Sequence, residues 1–193
     1  MRIACLSLLA LLALGCADPV ATRIADARDA GRVPRDLRVT WDDHAAAWGG
    51  RRIEVRGDGA VLVTRFRPSM LPASGAPEAS LGQESSAGGE VVFRGALDPA
   101  DLLPLLDLLS ELDAWEQRPS RGAAPMDTSR ATLRVRVGDA ESQVWEYSSD
   151  LLTAHRLIRA REALTNLVAR ARALAVPQPG DVAQPPAAGP APE

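Results

Sequence analysis

An α+β domain, with an antiparallel sheet of about five strands and two helices packed on one face, is the fold class this sequence predicts. Three observations predict it. Short runs alternate apolar with polar side chains, two longer segments carry apolar residues at helical spacing, and the order is strands, helix, two strands, helix.

Residues 37–41 (LRVTW) alternate as a half-buried strand does. Residues 52–56 (RIEVR) put Ile53 and Val55 on one side. Gly57-Asp58-Gly59 turns the chain and residues 60–66 (AVLVTRF) return, which makes a hairpin. Residues 68–89 are dominated by Pro, Ser, Gly and Ala, and are expected to form a mobile loop. Residues 90–94 (EVVFR) are a short strand. Asp98 then offers a helix N-cap, Pro99 suits the first helical position, and Asp101 favours the positive end of the helix dipole. Leucines 102, 103, 105, 106, 108, 109 and 112 follow, with Pro104 imposing a kink or a short first turn.

After a second loop at 117–129, Leu133, Val135 and Val137 alternate with Arg134 and Arg136 in the clearest strand, 130–137. Gly138-Asp139 turns it back into 142–147 (SQVWEY). Glu146 marks one side of this run as wet, which sends Trp145 and Tyr147 inward, toward Leu164 and Val168 of the closing helix. The competing register puts Val144 inside and Trp145 on the open face. The closing helix starts near 150 or 153 and runs to 175, with Leu157, Leu164, Val168 and Ala171 in one stripe.

Both ends read differently. Residues 1–15 have a cationic Arg2, an apolar stretch too short to span a bilayer, and a small-residue end, as a secretory leader does. Ala13-Leu14-Gly15-Cys16 resembles the lipobox of bacterial lipoproteins. The resemblance implies that Cys16 becomes the first mature residue and carries the acyl chains. Residue 17 is alanine, not the aspartate that retains enterobacterial lipoproteins at the inner membrane. The expected location is therefore the outer membrane, facing the periplasm. Residues 16–36 are small and polar, and Val20, Ile24 and Ala27 supply no more than two weak helical turns, so the segment reads as a tether. A single domain is expected over 37–175, followed by a disordered Pro/Ala-rich tail at 176–193.

Composition narrows the chemistry. All 22 cationic side chains are arginine, so Schiff-base and general-base lysine chemistry has no residue to use. The formal charge of −3 gives no basic excess for nucleic acid. His44 and His155 have neither short spacing nor a cysteine partner, so no metal or other cofactor is expected. The serines sit in no G-x-S-x-G motif. Asp42-Asp43 and Asp98/Asp101 are paired carboxylates, but with aromatics at 4% a sugar cleft is poorly supplied, and capping and solvation explain Asp98 and Asp101 better. No catalytic residue is assigned. The patch that invites interaction is a sheet face bearing Arg52, Arg56, Arg134 and Arg136. It either docks an anionic partner or lipid headgroups, or is a solvated face with cross-strand Arg–Glu pairs. The closing helix has its own arginine excess, which complements the acidic first helix or faces anionic lipid.

Gly57-Asp58-Gly59, the run Asp101-Leu102-Leu103-Pro104-Leu105-Leu106, Asp127 and residues 133–137 together resemble a loose group of small bacterial domains. Several of these are lipoproteins, and one is emfourin, an inhibitor of thermolysin-type metalloproteases. The resemblance implies an α+β domain with a loop, 68–89 or 117–129, as candidate inhibitory contact. Three function classes follow. The first is a membrane-anchored periplasmic binding module with an envelope protein partner. The second is a protease inhibitor of emfourin type. The third is a cell-envelope hydrolase, against which the scarcity of His, Cys and Lys weighs.

Overall fold

The computed structural model describes residues 18–43, 49–68, 89–119, 130–147, 151 and 156–175. The expected leader, Cys16, the loop at 69–88, most of the loop at 117–129, both histidines and the tail lie outside the described residues. Within them the chain is α+β, with six strands rather than about five, and three helices rather than two. The strands are β1 (Leu37–Asp42), β2 (Gly50–Arg56), β3 (Ala60–Phe66), β4 (Glu90–Ala96), β5 (Arg130–Val137) and β6 (Ala140–Tyr147). The helices are α1 (Pro19–Asp29), α2 (Leu103–Glu111) and α3 (Arg156–Ala175). A 3-10 turn over Pro99–Leu102 precedes α2, and Pro104 falls in the first turn of α2, where a missing N–H is harmless.

All neighbouring strands are antiparallel, in the order β4-β3-β2-β1-β5-β6. The first four make a meander. The chain then passes through α2 and returns beside β1 as the β5–β6 hairpin. The Gly57–Gly59 turn works by two means. Gly59 takes a φ of 87°, and at Gly57 a Cβ would lie 1.8 Å from the carbonyl oxygen of Pro34, so no larger residue fits.

One face of this sheet is the core. Leu37, Val39 and Trp41 of β1 are buried with Ile53, Val55, Val61, Val63, Leu133, Val135 and Val144. Against them pack Leu102, Leu105, Leu106 and Leu109 from the α2 region, and Leu157, Leu164, Val168 and Ala171 from α3. The arginine-rich α3 and the acidic 3-10 turn and α2 complement each other. Arg159 bridges both oxygens of Glu111 at 2.7 and 2.9 Å, and Arg170 reaches Asp101 at 2.8 Å. The guanidinium of Arg159 holds the Glu111 carboxyl below its ordinary pKa, first through the hydrogen bonds and then through charge.

Two expectations change. Residues 16–36 are not simply a tether, because α1 occupies most of the segment. Asp18 caps it, accepting from the N–H groups of Val20 at 2.7 Å and Ala21 at 3.3 Å, with Pro19 in the first turn. Val20, Ile24 and Ala27 share one face by their i, i+4, i+7 spacing, and all three are buried. Arg23 donates to the carbonyl of Val137 and pairs with Asp139, and Arg28 meets Asp107 of α2 at 2.7 Å. A helix this short is not stable alone. Tertiary packing holds it.

The second change is the register of β6. Val144 faces the core and Trp145 the open side. Glu146 misleads because it points inward without being wet. Its carboxylate lies 3.5 Å from Arg156 Nε, and the two side chains keep only 11% and 7% of their exposure. Arg156 also donates from Nη1 to the carbonyl of Glu116 at 2.9 Å. Burial lowers the Arg156 pKa, with the Glu146 charge opposing that shift.

The packing of α1 predicts that Ile24→Ala costs about 2–5 kcal/mol, as expected for a truncated core residue. Chemical denaturation checks this. A variant as stable as the parent would return the segment to the status of a tether.

Candidate functional site

Because the helices all lie on one side, the opposite sheet face is where interaction chemistry is concentrated. Strand pairing arranges it in rows. The first row runs Glu141, Arg136, Arg38, Arg56 across β6, β5, β1 and β2. The second runs Gln143, Arg134, Thr40, Glu54, Leu62, Arg94 across the whole sheet. The third runs Trp145, Thr132, Asp42, Arg52, Thr64, Val91. Arg130 lies opposite Tyr147 beyond it. These rows set seven arginines against three carboxylates, Asp42, Glu54 and Glu141.

The four expected residues are on this face but do not form one cluster. Arg52 donates to Asp42 Oδ2 from Nε at 2.8 Å and Nη2 at 2.6 Å, and its guanidinium sits 5.4 Å from the Phe66 ring. Arg56 lies 3.7 Å from Asp58 in the neighbouring turn. Arg134 meets Glu141 at 3.3 Å and donates to Gln143 Oε1 at 2.8 and 3.1 Å. Arg136 donates to the carbonyl of Gly138 at 2.9 Å. Cross-strand pairs of arginine with carboxylate therefore exist on this face, and arginines outnumber the carboxylates in its rows.

Sequence reasoning missed Arg38. It stands directly between Arg56 and Arg136, so three guanidinium groups cross three adjacent strands. Neighbouring strands are about 4.8 Å apart. Like charges placed opposite one another destabilise a sheet, and Glu54, 3.3 Å from Arg38, Asp58, 3.7 Å from Arg56, and Glu141, opposite Arg136, offset this row. The alternation in residues 37–41 put Arg38 on the polar side, but the row itself depends on strand order.

At the β6 margin, Arg130 lies 4.2 Å from the Trp145 ring centroid and 5.5 Å from that of Tyr147. The two rings meet edge to face at 5.2 Å. This strand is an edge of the sheet, and its outward backbone groups are a template for another strand. Gln117 blocks one position. Its Oε1 accepts from Trp145 N at 2.9 Å and its Nε2 donates to Trp145 O at 3.0 Å, replacing the two bonds a further strand would make.

The paired carboxylates serve structure. Asp42 holds Arg52, Asp43 accepts from the backbone N–H of Arg51, Asp98 caps the 3-10 turn, and Asp101 binds Arg170. Among the described residues no group of three His, Cys, Asp or Glu side chains is placed to hold a metal ion, and no helix is long and apolar enough to cross a membrane.

Two predictions follow from the two tryptophan environments and from the edge. Trp41→Ala should cost about 3–5 kcal/mol, whereas Trp145→Ala should cost about 1 kcal/mol, the scale of its cation–π contact. Thermal and denaturant melts compare them, and equal losses would refute the register of β6. Gln117→Ala should self-associate at lower concentration than the parent in sedimentation velocity, because Trp145 then presents an open backbone pair. No protein-family model matches the chain, and no curated protein matches it.

Proposed function

We propose that the protein is a non-catalytic interaction module of the bacterial cell envelope. It is held in the membrane by acyl chains on Cys16 and presents its open sheet face to an anionic partner. The observation that carries the reading is the row Arg56, Arg38, Arg136. These three aligned cations contribute nothing to the core, and although Glu54, Asp58 and Glu141 lie beside them, an anionic partner accounts for their alignment better than folding does. The anchor is supported by the apolar leader ending in Gly15-Cys16, and the periplasmic side of the outer membrane by alanine at position 17. A binding role is favoured over hydrolysis because the carboxylates nearest to acid–base chemistry are engaged by arginine or by backbone N–H groups.

The anchor is tested by replacing Cys16 with serine and fractionating cells. The parent should carry a lipid adduct and partition with membranes, and the variant should be released. A parent without an adduct, together with a variant that stays fully membrane-bound, would refute the anchor.

A further inference from the structure

The open face stands in a geometric relation to the anchor. Asp18 caps α1 and its Oδ2 accepts a hydrogen bond from Ser142 Oγ at 2.8 Å. The chain is thus fastened to β6 only two residues after Cys16. Two residues reach at most about 7 Å. Ser142 shares the inward side of β6 with Val144, so an acylated Cys16 ties the bilayer to the β6 edge of the sheet from its helix-bearing side.

Of the two faces that meet at that edge, the open one has the chemistry of a membrane contact. The whole chain carries a formal charge of −3, yet this face sets seven arginines against three carboxylates, so positive charge is segregated onto it. Half-buried Trp145 and Tyr147 lie beside Arg130 along the same edge strand, toward its far end. Trp and Tyr rings with an apolar body and a polar tip settle at headgroup depth, and surface arginines are drawn to anionic lipid. We infer that the anionic partner is the bilayer itself, and that the open sheet face lies on the anionic headgroups around its own anchor. This rests on the proposed acylation of Cys16.

The test uses lipidated protein purified from cells producing the full chain, with intact mass reporting the adduct on Cys16. The protein is reconstituted into vesicles of phosphatidylethanolamine and phosphatidylglycerol whose acyl chains are brominated near the headgroup. Trp145 emission is taken as the difference between the parent and Trp145→Phe. Most of it should be lost to bromine quenching. High salt, or the double substitution Arg130→Glu with Arg136→Glu, should restore it while the adduct stays in place. An adduct on Cys16 with Trp145 emission indifferent to brominated lipid overturns the orientation and leaves the anchor standing, with a protein partner on this face as the consequence. Absence of the adduct overturns both.

Discussion

A sheet of six strands that buries only one of its faces constrains everything else in this molecule. Each strand must present the same side inward, because slipping by one residue moves an entire apolar set into water. Strand β1 sets the pattern from the centre. Leu37, Val39 and Trp41 align with Val55 and Ile53 on one flank, and with Val137, Val135 and Leu133 on the other. Once those pairings are made, the positions of Arg38, Thr40 and Asp42 on the outer side are dictated, and with them the rows of the open face.

The same constraint explains the features that depart from simple alternation. Glu146 occupies an inward position at the end of β6, and a buried carboxylate there is tolerable only beside a cation. Arg156 supplies it from the first residue of α3, with Glu116 binding one of its nitrogens. Such a pair is weak evidence for stability, since its desolvation offsets much of the attraction. It fixes where α3 begins relative to β6, and this is a positional role.

Most strands were legible in the sequence, because an antiparallel sheet covered on one side writes its burial into alternate residues. The first helix was not. Val20, Ile24 and Ala27 are too few to suggest a packed element, and their burial depends on a surface made by β5, β6 and α2. The Asp18-Pro19 start was the available signal, since an N-cap acceptor followed by proline marks a helix N-terminus. Trp145 went astray because a glutamate normally marks the solvated side, and a distant arginine reversed that rule. At the candidate site, Arg52, Arg56, Arg134 and Arg136 were found by composition and alternation. Arg38 was not singled out, because its importance lies in having arginines on both sides, and that is a property of strand order.

The order of the strands also governs when the molecule becomes a folded object. The elements nearest the N-terminus, α1 and β1, are synthesised first but are completed last. Strand β1 needs β5 as its second neighbour, and the capping residue of α1, Asp18, is held by a serine 124 residues downstream. Until the β5–β6 hairpin has joined, α1 has only α2 to pack on, and β1 lacks its second neighbour. Contacts of such long range make folding slow. The delay sets an order on synthesis: α1 and β1 stay accessible to proteases until residues 130–147 have been made.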